Sequence, residues 1–566
     1  MYSSKTQSVN PRGQQAQSLL QISTVRSFEG GLNVTDTDLN MSPKFAKVLD
    51  NLERSTDGSL TLRPGTVLLT NHITDTSEII NTVYFGAQVW AVQASGNITS
   101  TDGAGTVTVK AAPGAFWTGG ITFVDFTIFN SDLLIVNGKD KPLIVSGRPT
   151  LPDHSPDPNF LQVQFLEDEA TGTNINTPVG KYIIAHGQFT IIAGVATDPS
   201  TIFISQQGTS GTFFGDPPPN NAVNVDLGPR VSLGGATITG LVAYRDKLLV
   251  TFERGVLPVN LGVFTGSPAV HTPTDDGFIE EFGCLSHRSL VSVGDDTFFN
   301  DNVGVNSITR INVFNTLRPV RASHLVDPLI TALIQPLSAT QIEQHVFAIY
   351  DLRNFRYMLF IPTFALDGVT VTETIAFSYT NIPTLKISAW ARLRGWNWRS
   401  ACRTSLQNIV FSRGNKLYAY DFDSNFNADR RNDPAVQGGT GEPVTFDWEL
   451  PWADFRHRMD IKYVRYISLD TTGTAAFTME LYVDNILDKP AYASVPFVAG
   501  SGAGYGANAY GTAPYGDGGE RRAIEERLYA VVGKFKLLKL RFFGSTKNKL
   551  RFISVSIAYL HGSIRR

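Results

Sequence analysis

The feature that most constrains the fold is a recurring unit of two short apolar strands joined by a turn of Gly, Asn or Asp. Such a unit is the sequence pattern of a β-hairpin. Its occurrences lie at 83–94, 126–136, 182–194, 241–252, 290–300, 345–362 and 409–421. Successive units are roughly 45 to 60 residues apart, which is the repeat length of β-propeller blades made of four-stranded sheets.

The repeat predicts an all-β fold with a degenerate β-propeller body of six or seven blades. The composition agrees, because 50 Gly and 29 Pro among runs of Val, Ile, Thr and Phe favour strands and turns over long helices. The units carry no sharp blade motif, so an array of stacked sheet sandwiches is the structural alternative.

Changes in composition predict four segments. Residues 1–27 are rich in Gln, Ser and Asn and predict a flexible arm, and residues 28–74 form a lead-in segment. The propeller-like body follows at 75–435, and a separate β-sandwich-like domain at 436–566.

Two details of the last domain are predicted as well. Strands 535–543 and 550–559 are expected to form a hairpin across 544–548. The Gly- and Tyr-rich loop 500–519 has no core-forming capacity.

A first short motif near the start of the chain specifies backbone geometry. Residues 28–33 read FEGGLN. The paired glycines Gly30 and Gly31 permit a positive φ or a close approach of another backbone. The motif therefore predicts a tight structural turn and not a catalytic site.

A second motif follows at 57–65, which reads DGSLTLRPG. After Arg63, Pro64 presets φ for a turn, and Gly65 is expected to accept the positive φ of a type II turn. Together the two motifs resemble the N-terminal signature of tail nozzle proteins of short-tailed phages, also called tail tubular protein B or packaged-DNA stabilisation proteins. In that family a Gly-Gly-(Leu/Ile)-Asn element precedes a segment that ends near Arg-Pro-Gly.

The C-terminal region also looks like the C-terminal sandwich of this family, so the resemblance covers both ends of the chain. It implies a structural virion protein and not an enzyme. The protein would form the distal nozzle ring of the tail as a homo-oligomer, usually a hexamer, with a lumen through which packaged DNA passes without sequence-specific binding.

The resemblance also implies partners and a location. The ring would contact a tail adaptor ring and carry tail fibres or spikes, and the protein would be made in the host cytoplasm and reside in the virion tail. The sequence has no apolar run long enough for a transmembrane helix and no secretory signal at its start, which agrees with this location.

Charge is distributed unevenly along the chain. The formal net charge is −3, whereas residues 519–566 hold 12 Lys and Arg against 3 Asp and Glu, or +9, which leaves −12 for residues 1–518. A basic segment on an acidic body predicts either an interface with an acidic partner or DNA, or a solvated strand face.

Motifs of catalysis and cofactor binding are absent from the sequence, including Gly-x-Ser-x-Gly, a Walker A loop and paired Cys or His ligands. We therefore expect no cofactor. One weak candidate for a calcium site has alternating oxygen-bearing side chains, namely Asp421, Asp423, Asn425, Asn427 and Asp429. Phe426 and Asn432 break the EF-hand pattern, and the alternative is a solvated loop with Asx turns.

Five of the seven tryptophans lie between residues 390 and 452. Trp396 and Trp398 are expected on one face of a strand, where they would form either a sugar-binding platform or part of the core. The alternative function is thus a carbohydrate-binding or carbohydrate-cleaving propeller of the tail, and a third possibility is a non-viral scaffold. Cys284 and Cys402 are expected to be free, buried thiols.

Overall fold

The computed structural model of the 566-residue chain describes most of the molecule. The described residues are 20–25, 28–71, 75–103, 105–149, 157, 159–167, 176–213, 221–231, 237–262, 264–265, 270–271, 273–280, 282–293, 296–311, 316–382, 387–421, 427–455, 460–473, 475–484, 490, 492–493, 497–498, 522–527 and 534–561. They form 46 strands and two α-helices, numbered here in chain order. The predicted loop 500–519 lies outside the described residues.

The chain folds into two compact units, and each is discontinuous in sequence. Unit 1 contains residues 1–67, 375–396 and 420–566, and unit 2 contains residues 68–374 and 397–419. The predicted lead-in segment 28–74 is therefore divided between the two units, and parts of the predicted body 75–435 belong to unit 1. Linear changes in composition do not report this division, because strands that are distant in sequence pair with one another.

Unit 2 is a β-propeller, and its described strands form seven successive sheets. The first contains β8 (Ile79–Phe85), β9 (Gln88–Gln93), β10 (Ile98–Thr101) and β11 (Val107–Ala111). The second contains β12 (Asp125–Phe129), β13 (Asp132–Val136), β14 (Leu143–Val145) and β15 (Val163–Phe165). The third contains β16 (Tyr182–His186), β17 (Phe189–Ala193), β18 (Thr201–Ile204) and β19 (Val223–Asp226).

The fourth and fifth sheets continue the same antiparallel order. The fourth contains β20 (Ile238–Tyr244), β21 (Lys247–Phe252), β22 (Gly255–Asn260), β25 (Thr274–Asp275) and β26 (Ile279–Glu280). A short pair, β23 (Phe264–Thr265) and β24 (Val270–His271), lies between its last strands in sequence. The fifth contains β27 (Val291–Val293), β28 (Asp296–Asn300), β29 (Val305–Ile311) and β30 (Thr316–Arg321).

The last two sheets include the strands at which the chain passes between the units. Helices α1 (Asp327–Ile334) and α2 (Ala339–His345) precede the sixth sheet of the propeller, which contains β31 (Phe347–Asp351), β32 (Arg356–Phe364) and the start of β33 (Val371–Ile382). These strands are one end of a 12-stranded sheet, because the long strand β33 continues past the unit boundary. The seventh contains β35 (Ser400–Arg403), β36 (Ile409–Arg413), β37 (Lys416–Asp421) and β7 (Gly65–Asn71). Each of the seven predicted hairpin units lies in a different one of these sheets.

Neighbouring sheets of the propeller pack face to face through apolar cores. Separate clusters of buried residues fill the spaces between the first and second, second and third, third and fourth, and fourth and fifth sheets. The first strands of the second to seventh sheets lie beside one another in order, and β35 of the seventh sheet contacts β8 of the first. The ring is therefore closed, and the alternating apolar residues of each strand serve the two adjacent cores.

Unit 1 is a sandwich of two sheets. One contains β5 (Leu52–Arg54), β6 (Leu60–Leu62), β46 (Leu550–His561), β39 (Lys462–Gly473), β43 (Arg522–Arg527), β44 (Lys534–Phe535) and β1 (Leu20–Val25). The other contains the rest of β33 from Ile375 onward, β2 (Gly31–Leu32), β3 (Phe45–Ala46), β34 (Ile387–Trp396), β4 (Val48–Asp50), β38 (Val444–Glu449), β45 (Leu538–Thr546), β40 (Ala476–Val483), β41 (Tyr492–Ala493) and β42 (Phe497–Val498).

The predicted hairpin of the last two strands is wrong. β45 pairs with β38 and β40, whereas β46 pairs with β39, β6 and β1, so consecutive strands belong to opposite sheets. Their aromatic side chains meet in the core, with the rings of Phe542 and Phe552 5.9 Å apart. Burial of large aromatic rings from both strands favours this cross-sheet connection over a hairpin.

The end of the predicted N-terminal arm is also part of the sandwich. Residues 20–25 form β1, which pairs antiparallel with β46 from Leu20 opposite Leu560 to Val25 opposite Val555. Its described side chains are half-buried or exposed, so hydrogen bonds to β46 and not a core fix its position. The polar composition of this segment predicted a flexible arm. Residues 20–25 are instead ordered as a strand, because β46 supplies a partner for them.

We expect the sandwich core to depend on Phe552, which is fully buried against Phe542, Phe446 and Trp448. Phe552→Ala should lower the free energy of unfolding of unit 1 by about 3–5 kcal/mol, because it removes a ring and leaves a cavity. Urea unfolding followed by tryptophan fluorescence measures the change. Phe355→Ala, at a residue that is 45% exposed, is the control and should change stability by less than about 1 kcal/mol. Equal effects of the two substitutions would contradict the packing described here.

Candidate functional site

Arg63 of the second signature motif lies at the centre of a buried polar cluster in unit 1. Its side chain is 1% exposed, and its Nη1 and Nη2 atoms donate to Oδ1 and Oδ2 of Asp429 at 2.8 and 2.5 Å. Nε donates to Oδ1 of Asn51 at 2.9 Å, and Nη2 also donates to the carbonyl oxygen of Arg394 at 3.2 Å. The guanidinium carbon lies 4.3 Å from the ring centroid of Trp396.

This arrangement joins three distant chain segments through one side chain. A bidentate Arg–carboxylate pair combines charge with two directional hydrogen bonds. Lysine cannot reproduce this geometry, since the planar guanidinium also stacks on the indole ring. We call Arg63, Asn51, Trp396 and Asp429 the Arg63 cluster.

The start of β7 is held beside the Arg63 cluster by Thr66. The Thr66 amide donates to the carbonyl oxygen of Ala428 at 3.1 Å, and the Arg431 amide donates to the carbonyl oxygen of Thr66 at 2.8 Å. The Arg430 amide donates to Oγ1 of Thr66 at 2.9 Å. Backbone bonds therefore flank the Arg63–Asp429 ion pair on the segment 428–431.

The glycines of the signature are required by close packing. Gly31 has φ +66°, and a Cβ there would lie 2.5 Å from the carbonyl oxygen of Trp390. A Cβ at Gly30 would lie 2.2 Å from the ring of Phe45. Gly65 does not have the predicted positive φ, so that prediction is wrong. It begins a strand, and a Cβ there would lie 2.2 Å from the carbonyl oxygen of Ala428.

The carboxylates of the candidate calcium site bind arginines. Asp429 belongs to the Arg63 cluster, and Oδ2 of Asp421 accepts from Nε of Arg431 at 2.8 Å. Asn427 donates from Nδ2 to the carbonyl oxygen of Leu62 at 3.3 Å. The described members are thus engaged with protein groups, and Asp423 and Asn425 lie outside the described residues.

The tryptophans of the predicted sugar platform are buried. Their exposed fractions are at most 7% at Trp390, Trp396, Trp398, Trp448 and Trp452. β34 ends at Trp396, so Trp398 does not continue the same strand, and the two residues belong to different units. Their burial supports the interpretation that they are core residues.

A second polar cluster lies at one end of the propeller, where the first strands of several sheets begin. The carbonyl oxygen of Gln344, near the C-terminus of α2, accepts from Nη1 of both Arg288 and Arg399. Nη2 of Arg288 donates to the carbonyl oxygen of Arg399 at 2.9 Å, and Nη2 of Arg399 donates to that of Thr122 at 3.3 Å. These bonds link the second, fifth, sixth and seventh sheets, and we call Arg288, Gln344, His345 and Arg399 the axial cluster.

The axial cluster places two cations near a helix C-terminus, where unsatisfied carbonyl oxygens and the helix dipole favour positive charge. The carboxylate of Glu78 faces Arg399, with 3.6 Å between Oε2 and Nε. Burial and then the charge of Arg399 lower the pKa of Arg288 to about 9. Burial, followed by the charges of Arg399 and Arg288, lowers the pKa of His345 to about 3.

Side chains from neighbouring sheets satisfy backbone donors at the inner edge of the propeller. Oδ2 of Asp125 accepts from the Ile183 amide at 2.9 Å and faces Nε2 of His287 at 2.8 Å. Nδ1 of His287 accepts from the Leu241 amide at 3.2 Å. Among the described strands, the first strand of each propeller sheet has no partner strand on its inner edge, and such bonds satisfy backbone amides that would otherwise be unpaired there.

Sequence reasoning missed the axial cluster. Arg288 and Arg399 are 111 residues apart in sequence and carry no motif spacing. The available signal was positional, since each precedes the first strand of a blade unit by one to three residues. A repeat alignment of the seven units would have placed these positions at the same end of the propeller.

Comparisons with known proteins add distant structural likenesses. No family model and no curated protein matches the sequence. The WD40 β-propeller domain of Doa1 is 12% identical, with 64% of this chain and 98% of that chain covered and a TM-score of 0.34. YCF48 bound to D1 peptide is 10% identical, with 64% and 99% covered and a TM-score of 0.36. The all-β propeller fold is assigned here from the sheets themselves.

We expect Gly31→Ala to be strongly destabilising, because the methyl group would require both a strained φ and displacement of the Trp390 backbone. Gly187→Ala is the matched control, since Gly187 has φ +61° but nothing within 4 Å of the added Cβ. The control should cost about 1 kcal/mol, and Gly31→Ala about 3 kcal/mol or more. Denaturant unfolding measures both, and equal costs would contradict the close approach.

The lowered pKa of His345 predicts a pH-dependent stability. Between its ordinary value of 6.5 and about 3, the unfolded chain binds a proton that the folded protein does not. The contribution of His345 is therefore complete above pH 6.5 and is lost as pH falls toward 3. Comparing unfolding free energies at pH 7 and 5, we expect the wild type to lose about 1–2 kcal/mol more than His345→Gln. Identical pH dependence of the two proteins would contradict the assigned direction.

Proposed function

We propose that this protein is a structural component of a short phage tail that forms the distal nozzle ring, retains packaged DNA and provides the channel for its ejection. The supporting observation is the role of the signature residues. Gly30 and Gly31 fit beside Phe45 and Trp390, and Arg63 organises a buried cluster. The residues that carry the family resemblance therefore also make the contacts that join the N-terminal strands to later parts of the chain.

Three described cations of the basic C-terminal segment are ion-paired, which supports a channel that does not grip DNA. Lys539 pairs with Glu449 at 2.7 Å, Arg541 with Asp447 at 2.5 Å, and Arg551 with Asp57. Paired cations contribute less to phosphate binding than free ones, and DNA slides more readily past a wall with few free cations. We propose a homohexamer that contacts an adaptor ring, fibres or spikes, and DNA without sequence-specific binding.

The carbohydrate alternative has less support. Its platform residues are buried tryptophans, and the described carboxylates of its loop pair with arginines.

Among the described residues, no helix is both long and apolar enough to cross a membrane.

The proposal predicts that the protein is present in purified virions at about half the copy number of the portal protein, which corresponds to six copies beneath a twelve-fold portal. Quantitative mass spectrometry of gradient-purified particles measures this ratio, with the major capsid protein as the internal standard. Electron microscopy of the isolated protein should show rings with an axial channel. Absence from virions, or purified protein without ring assemblies, would overturn the proposal.

A further inference from the structure

Strand β7 has a special position in the propeller. The seventh sheet takes β35, β36 and β37 from residues 400–421, whereas its outermost strand β7 comes from residues 65–71, before the first sheet in sequence. The propeller ring is thus joined by strands from both ends of its chain segment. If β7 leaves, the seventh sheet loses the one described strand that it takes from the N-terminal side of the chain.

The two halves of β7 belong to different compact units. Residues 65–67 lie in unit 1, and residues 68–71 lie in unit 2. In unit 1, both the amide and the carbonyl oxygen of Thr66 bond to backbone of the segment 428–431. The start of the closing strand is therefore fixed by backbone bonds within unit 1.

The Arg63–Asp429 ion pair joins the same two segments. Arg63 lies two residues before β7, and Asp429 lies in the segment that bonds Thr66. Oγ1 of Thr66 also lies 3.5 Å from Oδ1 of Asp429. Because the pair is almost fully buried, neutralising one partner leaves the other without compensation, and this is the costly way to break such a pair.

We propose that the Arg63–Asp429 pair is a latch that holds β7 in place and thereby keeps the propeller closed at the seam between its first and seventh sheets. With the latch intact, opening of the seam requires breaking a buried ion pair. With the latch broken, the seam opens by local unfolding while the other sheet-to-sheet cores persist. This inference concerns the fold alone and does not depend on the proposed function.

The two cysteines provide built-in reporters of the seam. Cys402 lies in β35, on the seam, where Ser400 of the same strand lies 3.2 Å from Thr82 of the first sheet between their Oγ atoms. Cys284 lies in the core between the fourth and fifth sheets, away from the seam. Both thiols are free and buried, and burial raises the pKa of Cys284 to about 11 and of Cys402 to about 12. Neither should react with a maleimide in the closed propeller.

A second ion pair of unit 1 supplies a matched control. Nε and Nη2 of Arg392 donate to the two carboxylate oxygens of Asp50 at 2.6 and 2.8 Å. This pair is also bidentate and largely buried, but neither partner lies in β7 or in the segment 428–431. Asp50→Asn therefore removes the same charge as Asp429→Asn without touching the latch.

The experiment measures maleimide labelling of single-thiol proteins, Cys284→Ser and Cys402→Ser, under native conditions. Asp429→Asn should raise the labelling rate of Cys402 at least about tenfold, since 1.4 kcal/mol of lost local stability already gives that factor. The rate at Cys284 should stay within about twofold, and Asp50→Asn should leave both rates within about twofold. Thr66→Val, a milder change at the same place, should raise Cys402 labelling by a smaller factor.

Two results would overturn the latch. An unchanged Cys402 rate in Asp429→Asn would mean that β7 stays in place without the ion pair. Equal acceleration of both thiols would mean global unfolding and not opening of the seam. If Asp429→Asn does not fold, Thr66→Val decides, because acceleration confined to Cys402 supports the latch and its absence rejects it.

Discussion

The buried ion pair of Arg63 and Asp429 is the interaction on which the rest of the structure depends. It fixes the segment that precedes β7 against the segment that follows β37, and these two segments are 366 residues apart. Asn51 and Trp396 complete the surroundings of the guanidinium. A single arginine thus sets the relative placement of three parts of unit 1, because its planar group offers directional donors on several sides.

At the end where its first strands begin, the propeller is held together by arginine side chains that bond to backbone carbonyl oxygens. Two arginines share one carbonyl oxygen, that of Gln344 near the end of α2, and reach backbone groups of the second and seventh sheets. The sheets are held by apolar cores between their faces, whereas this network ties their inner ends. Burial lowers the pKa of both arginines, and burial together with their two charges lowers the pKa of the neighbouring His345.

The seven hairpin units could be predicted from sequence because each is local. Alternating apolar residues and a turn lie within about 20 residues, and the recurrence of this pattern indicates blades. The signature glycines were also identified from sequence, although the reason at Gly65 is the close approach of Ala428 and not a positive φ. The predicted hairpin of β45 and β46 was wrong, because sequence adjacency does not specify which sheet each strand joins.

By itself, the sequence determined the all-β class, the hairpin of each blade and the positions where only glycine fits. These features depend on residues close together in the chain, where backbone sterics and side-chain alternation decide. The tertiary structure alone decided that Arg63 meets Asp429, that β7 completes the seventh sheet, and that Arg288 and Arg399 converge on Gln344. Such contacts join residues far apart in sequence, and their energy comes from burial and geometry that exist only once the strands have paired.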